Sequence, residues 1–538
     1  MARGETRAGL GRAGATGIVS GPEASRWVVT FAVMLVASMQ VLDTSVTNVA
    51  LPHMQGSLSA SVDEITWVFT SFLAANAVVL PATGWLAALL GRRRFFLAAT
   101  GLFIGSSLLS AVAPSLEFLV VARLLQGVGG GPLIPLSQAI LMEIFPPRRR
   151  GTAMAVWGIG VMFAPIFGPT LGGWITDNYS WRWIFYLNLP IGAVALGLAW
   201  LLLAEPAERP AAPTRVDGLG LGLMVLSVGA LQVALDRGYR ADWFESTGIT
   251  VLVVVGAAAL LSFVARELTA AQPIVDLRVL AQRSFAIGTL LITLVGFGLY
   301  SSLLLLTFYA EHLLGYDALT TGWVLAPGGL GSLISLVLGG RLVNRIDPRW
   351  LVSAGAAIIA YSLHLMASLS LGADFWTVLW SRFVQGLGMG LVFVPLTTAS
   401  LAVVAPHRMA TATGLFNLVR NVGGSAGIAV MTTWLARQTQ VHQAALVGRV
   451  TIWDSAAVER LGLLERAYAA GGADATTAHA QALQRLYAEV QRQAAMQAFL
   501  DDFRILTLLF LVFIPLVWCM RRTPEPAEAA PTAVAVEP

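Results

Sequence analysis

The chain contains no lysine: all 34 of its basic residues are arginine, a bias that reads as the coding habit of a GC-rich genome rather than as chemistry. Charge of both signs is scarce, at 12% of residues against about 25% in an ordinary soluble domain. That excludes a soluble fold. A single cysteine, Cys519, excludes an intrachain disulfide framework and a thiolate metal cluster. No HExxH, Walker loop or dinucleotide fingerprint occurs, so neither ATP drive within this chain nor a cofactor is expected. Gly423, Ser425 and Gly427 spell GxSxG, but that motif needs a strand-to-helix elbow and here falls in an apolar run, so pairing with His364 as a base is rejected. Residues 1 to 26 carry Arg3, Arg7, Arg12 and Arg26 without a short apolar core and small-residue cleavage site. The first apolar run, from Trp27, is therefore expected to be a retained anchor.

What is abundant is apolar sequence: 56% hydrophobic residues and a mean hydropathy of +0.72. Fourteen stretches are long enough to cross a bilayer, at about 20 residues each. They cover 27–49, 65–88, 95–113, 118–141, 152–175 and 182–204, then 219–236 and 248–265, then 285–310, 321–340, 351–371, 376–403, 411–435 and 504–520. The expected protein is an all-α integral membrane fold in a six, two, six plan. Arginines gather on every second loop: Arg92 to Arg94, Arg148 to Arg150, Arg209 with Arg215, Arg278 with Arg283, Arg345 with Arg349, Arg408, and Arg521 with Arg522. By the positive-inside rule these loops and both termini are cytoplasmic. A basic balance that would suggest nucleic acid in a soluble domain is thus explained by orientation. The expected divisions are a tail over 1–26, a six-helix bundle over 27–204, a linker with two extra helices over 205–284, a second bundle over 285–520, and a tail over 521–538.

The two bundles look related. RLLQGVGGG from Arg123 matches RFVQGLGMG from Arg382 at an offset of 259 residues, and the offset also pairs Arg149 with Arg408, Thr152 with Thr411, and Gly168 with Gly427. Both copies start on the same side, which makes a parallel repeat, an arrangement whose halves rock about a central site in transporters.

Asp43 is the one carboxylate well inside a span in the first half. A charge there costs about 2.5 to 3.5 kcal/mol on insertion scales and marks function by default. At about 1.5 Å rise per residue it lies about 24 Å along the first helix. Arg123, on the inward-running fourth span, reaches a matching depth, which permits an ion pair. Protonation of Asp43 would break that pair and bias a two-state packing; the alternative is a static pair that fixes helix register. Arg382 either faces a central cavity or snorkels outward. Glu143, before Pro146, reads as a cap at a cytoplasmic helix end.

In the fifth span Gly160, Ala164, Gly168 and Gly172 form a stripe of small residues that permits close helix contact, and Pro165 and Pro169 remove backbone donors and should bend the helix. Such an element could seal the two halves on one side, or serve packing alone. An insertion over 437–502 carries two Ala-rich stretches, 456–470 and 478–500, that look helical and are separated by Gly471 and Gly472. It is either a docking surface or gate, or a self-capping hairpin.

On these residues the chain resembles the major facilitator drug:proton antiporters of the fourteen-helix, EmrB/QacA kind, and the resemblance covers nearly its whole length. LDTSVTNVALP resembles the family's first-helix motif, RLLQGVGGGPLIPLSQ its fourth-helix motif, APIFGPTLGGW its antiporter motif, and WRWIFYLNLPIG a signature after it. The resemblance implies a major facilitator fold of two pseudo-symmetric six-helix bundles and export of hydrophobic or amphipathic toxic compounds driven by a proton gradient. It implies a proton-coupling role for Asp43 with Arg123. A fourth-helix role falls to Gln126 and Gly127, with Arg382 and Gln385 as their repeat counterparts, and the antiporter-helix role to Gly160, Ala164, Pro165, Gly168, Pro169, Gly172 and Gly173. EmrB-like pumps of double-membrane bacteria sit in the inner membrane and work with a periplasmic adaptor of the EmrA-like membrane fusion type and a TolC-type outer channel. These partners are implied for the insertion. The loop motif GxLADRxGRR is degraded to GWLAALLGRRR: Gly84, Gly91, Arg92 and Arg93 remain, but Ala88 and Leu89 replace its Asp and Arg, which puts an Asp-centred latch in doubt. Proton-linked transport of one physiological solute, and a membrane-embedded sensor or enzyme, are the alternatives.

Overall fold

In lipid every backbone polar group must be satisfied within its own segment, which leaves helices as the natural outcome for such apolar runs. The computed structural model describes residues 23–203, 217–270, 273–343, 345–448, 450–451 and 453–521, and within them every long element is a helix. In chain order these are α1 (Glu23–Ser57), α2 (Val62–Ile65), α3 (Trp67–Leu90), α4 (Arg92–Ala111), α5 (Leu116–Gly130), α6 (Leu133–Ile144), α7 (Pro147–Asn178), α8 (Trp183–Tyr186) and α9 (Asn188–Leu202). There follow α10 (Gly218–Arg237), α11 (Thr247–Thr269), α12 (Arg283–Phe308), α13 (Ala318–Leu342), α14 (Pro348–Met366), α15 (Phe375–Ala402), α16 (Met409–Val447), α17 (Ser455–Ala470) and α18 (Ala475–Val517). Arg3, Arg7, Arg12, Arg209, Arg215 and Arg522 lie outside the described residues, as do the side chains of Pro165 and Pro169.

Short polar caps set the helix ends. Ser61 and Glu64 close a reciprocal capping box that satisfies two orphan backbone donors. Ser115, Asp217, Asp317, Asp347 and Asp474 each accept from a backbone amide at the start of α5, α10, α13, α14 and α18. Gly91, at φ 83°, takes the left-handed conformation that lets α3 turn directly into α4.

Eleven helical stretches among the described residues are long and apolar enough to cross a membrane. α7, α16 and α18 occupy three further expected spans. α16 is diluted by glycine, threonine and arginine, and the apolar part of α18 follows Asp501, Asp502 and Arg504. Two expected spans are interrupted. The fourth breaks at Gly131 and Pro132 between α5 and α6, and the sixth at Leu187 between α8 and α9. α7, by contrast, continues as helix through Pro165 and Pro169.

Within the first half α7 and α9 pack on α1, and α3 and α4 on α5; within the second, α13 and α14 pack on α15, and α12 and α18 on α16. The halves meet through α7 with α13 and through α3 and α6 with α16. Here glycine removes the side chain that would keep the helices apart. A Cβ on Gly151 would collide with Val343, one on Gly340 with Ala155, and one on Gly84 with Thr411. A glycine of α3 meets α16 and a glycine of α13 meets α7, so each half closes on the other in the same manner. All lie at the end of the bundle where the arginine-bearing turns meet: Arg408 is 3.3 Å from Asp276, and Arg349 donates to the Met520 carbonyl at 3.4 Å. α10 and α11 pack on each other, and α10 touches α3 and α16. The insertion is helical throughout most of its length, because α16 runs on to Val447 and α18 begins at Ala475, with α17 packed on α18.

Candidate functional site

Asp43 on α1 is 2% exposed and Arg123 on α5 fully buried. Arg123 Nη1 donates to Asp43 Oδ2 at 2.6 Å and to Gln126 Oε1 at 2.6 Å, and its Nε donates to the Val68 carbonyl at 3.2 Å. Gln126 Nε2 donates to Asp43 Oδ1 at 2.9 Å, and Asn188 Nδ2 reaches the same oxygen at 2.7 Å. Asn188 also donates to Ser107 Oγ at 2.9 Å, and Ser107 in turn to the Phe185 carbonyl at 3.0 Å. The Phe72 ring covers the guanidinium at 4.4 Å. One charge pair thus joins α1, α3, α4, α5 and α9.

The reason for this closure is dielectric. Two charges removed from water remain tolerable only when paired and hydrogen-bonded on their other lone pairs and protons. Asp43 has that saturation; Arg123 Nη2 is the one guanidinium nitrogen without a partner. Gly127 makes the approach possible, since a Cβ there would meet the Phe72 carbonyl at 2.5 Å.

Sequence reasoning paired Asp43 with Arg123 and gave Gln126 only a fourth-helix role; the structure brings the pair together and bonds Gln126 to both. It missed Asn188, the polar residue inside WRWIFYLNLPIG, and Ser107. A buried asparagine in an apolar span was the available signal, since such a group must find a partner.

The second half repeats the arrangement without the acid. Arg382 Nη1 donates to Gln385 Oε1, and Gln385 Nε2 donates to Ser302 Oγ at 2.8 Å. Ser302 stands at the repeat position of Asp43. Arg382 is 9% exposed, so it does not snorkel outward, and it forms no ion pair among the described residues. Its length is held by the helix interior, because its stem packs on Gly328. Arg420 on α16 is a further arginine inside an expected span that sequence reading passed over. It lies 6.0 Å from the Phe393 ring.

The α7 stripe faces its own half. A Cβ on Gly160 would strike Met34, one on Gly168 would strike Ser45, and one on Gly172 would meet Val46 at 3.0 Å, all on α1. Ala164 is buried beside them; Gly173 is looser, 3.9 Å from Val49. The face that meets the other half is instead Gly151, Ala155 and Gly158. A stripe spaced by four can face only one neighbour, and α1 takes it.

Two loop readings are corrected as well. Glu143 does not cap a helix end: it pairs with Arg92, while Arg93 donates to the Trp200 carbonyl at 2.6 Å. Gly84 lies inside α3, at the seam with Thr411, rather than in a loop. Ser425 accepts from Gln232 at 2.8 Å, and His364 is exposed on α14, so the GxSxG match is helix packing.

A polytopic bundle with an internal parallel repeat, a glycine seam between its halves and a buried acid–arginine network defines an integral membrane protein of the transporter class. The family model of the Major Facilitator Superfamily matches residues 33–428, and the chain belongs to that family. It is 37% identical over 498 residues to the Multidrug export protein EmrB of Escherichia coli strain K12, covering 91% of this chain and 94% of that one. It is likewise 37% identical over 493 residues to the Fatty acid resistance protein FarB of Neisseria gonorrhoeae, covering 91% and 95%. Among solved structures, the human organic anion transporter MFSD10 (TETRAN) shares the fold at a TM-score of 0.60 and 16% identity, over 92% of this chain and 100% of that one.

Proposed function

We propose that this chain is a proton-coupled exporter of hydrophobic and amphipathic compounds, built on fourteen spans in two six-helix bundles with two extra helices. The observation that carries the coupling is the saturated network at Asp43. Protonation of Asp43 removes the charge that holds Arg123 Nη1, leaves a buried cation uncompensated, and so favours a different packing of α1 against α5. A ligand or proton shifts such an equilibrium only by its differential affinity for the two packings, and this network supplies one. The glycine seam closes the arginine-rich end, which in this reading is cytoplasmic. The conformation is then outward-facing, with the network ready to take a proton from outside.

Export of toxic amphipaths rests on the similarity to EmrB and FarB, whose names describe multidrug export and fatty acid resistance. By the same similarity we place the protein in an inner membrane with both termini cytoplasmic. The hairpin of α17 with the outer parts of α16 and α18 then docks a periplasmic adaptor of the membrane fusion type, which leads to an outer-membrane channel.

The test is drug-triggered proton movement in proteoliposomes holding a pH-sensitive dye, comparing wild type with Asp43→Asn over a panel of lipophilic anions, cations and neutral compounds. Coupled flux in wild type alone supports antiport through Asp43. Equal flux in both sinks it.

A further inference from the structure

We infer that Arg382, Gln385 and Ser302 form an anion-recognition site in the second half, which takes the carboxylate of an amphipathic substrate in the place that Asp43 fills in the first half. The inference rests on the exporter reading above and adds the headgroup chemistry and the residues that recognise it.

The argument starts from the repeat. At one and the same offset Arg123 corresponds to Arg382, Gln126 to Gln385 and Asp43 to Ser302. The hydrogen-bond wiring is conserved with the sequence: arginine Nη1 donates to the glutamine oxygen in both halves, and the glutamine amide donates to position 43 at 2.9 Å and to position 302 at 2.8 Å. Only the acid is missing. Arg382 therefore keeps its charge in a site about nine-tenths buried, with Nε lacking any partner. Its first-half counterpart gives Nε to a backbone carbonyl and lies under the Phe72 ring. Gly127 lies against the Phe72 carbonyl and its counterpart Gly386 against the Gly328 carbonyl, so Gly328 stands where Phe72 stands in the first half, and its added Cβ would fall 2.7 Å from Nε.

A buried, unpaired cation is costly, and the cost is relieved when an anion arrives with matching geometry. Arginine suits a carboxylate because its planar fork can donate two parallel bonds. Gln385 Nε2 adds a neutral donor on the same side, as Gln126 does for Asp43, and the small Ser302, whose hydroxyl donates to the Leu299 carbonyl at 3.0 Å, leaves the place of the acid side chain unfilled. A cationic ligand would face repulsion, and a neutral one would leave Arg382 uncompensated. The class selected is an amphipathic monocarboxylate with an apolar tail.

The test is equilibrium binding of radiolabelled dodecanoate and its neutral methyl ester to the detergent-solubilised full chain at pH 7.5. Wild type should prefer the acid at least ten-fold, and Arg382→Gln should bring the ratio to about one. Ser302→Asp should do the same by filling the slot from within, while its thermal unfolding stays at or above that of wild type because the new carboxylate pairs with Arg382. A wild-type ratio near one, or a ten-fold preference that survives in folded Arg382→Gln, overturns the site. Proton flux with a neutral lipophilic substrate is measured alongside. Flux without acid preference removes the anion site and leaves the exporter reading, whereas acid preference without flux removes the exporter reading and leaves the site.

Discussion

Asp43 and Ser302 stand in corresponding places of the internal repeat, and each accepts the side-chain amide of a glutamine, at 2.9 and 2.8 Å. The same scaffold therefore holds a neutralised arginine in one half and an uncompensated one in the other. Under the proposed function that asymmetry separates a proton-binding element from a substrate-binding element within one fold, since a group that must gain and lose a proton needs a carboxylate and a group that must hold an anion needs its absence.

Removal of the Asp43 charge should be felt in stability as well as in coupling. Asp43→Ala leaves Arg123 buried and unpaired, a change worth about 3–5 kcal/mol, and should lower the unfolding midpoint in detergent. The double variant Asp43→Asn with Arg123→Gln replaces the ion pair by neutral hydrogen bonds. It should recover most of that stability and none of the drug-dependent proton flux. Recovery of flux in the double variant would show that the charge pair is structural.

Asn188 should behave as a positioning residue for Asp43. Asn188→Leu strips a 2.7 Å donor from the carboxylate and a second from Ser107 Oγ, which keeps its own bond to the Phe185 carbonyl, with a cost of about 1–3 kcal/mol for the weakened carboxylate. Drug-dependent proton flux per folded molecule should fall by about ten-fold or more, with Asn188→Gln recovering part of it. Unchanged flux in Asn188→Leu would remove Asn188 from the network's working part.

Small-residue positions on α7 should divide by what a methyl group meets. Gly168→Ala drives into Ser45 of α1, and overpacking of this kind costs about 1–3 kcal/mol. Gly173→Ala meets only Val49 at ordinary contact distance and should leave the unfolding midpoint within error. Thermal unfolding of the two variants checks the contrast.

At the arginine-rich end Glu143 should depend on Arg92. Glu143→Gln should destabilise the protein, and the reversed pair Arg92→Glu with Glu143→Arg should restore the midpoint beyond either single change. Additive losses in the double variant would mean that the pair carries no coupling.

The hairpin carries a pH signature. Asp502 lies just before the last expected span and is fully buried, with neither carboxylate oxygen hydrogen-bonded among the described residues. Burial, and then the neighbouring Asp501 charge, push its pKa up to about 8. A carboxyl whose folded pKa exceeds its unfolded value binds its proton more tightly when folded, so stability falls as pH rises from about 4 to about 8 and levels off above. The slope for one proton is at most about 1.4 kcal/mol per pH unit. Unfolding midpoints at pH 6 and pH 9 should differ in wild type and converge in Asp502→Asn. Glu489 moves the other way, since Arg460, 2.7 Å away, holds its carboxyl below the usual range; this exposed pair is worth about 0–1 kcal/mol.

Sequence by itself determined the helices and several of the places where they start. Apolar runs in lipid can satisfy their backbone only as helices, and Ser61, Asp217, Asp317 and Asp347 sit where the first amides need acceptors. It also determined that Arg123 and Arg382 are related, because an internal repeat is written in residue order, and that Asp43 is exceptional, because a carboxylate inside a span is costly wherever it points. Tertiary structure decided which neighbour each side chain meets. Asn188 lies 145 positions from Asp43, and no periodicity along the chain reports a bond across that separation. Small residues announce close packing without naming the partner, so the stripe of Gly160, Gly168 and Gly172 was legible as a contact surface, while its partner α1 and the separate seam at Gly151 and Gly84 were settled only by the packing of the bundle. Arg382 was equally ambiguous until the depth of its side chain was fixed, since a long flexible cation can reach water or stay inside, and the contacts of α13 and α15 leave it inside.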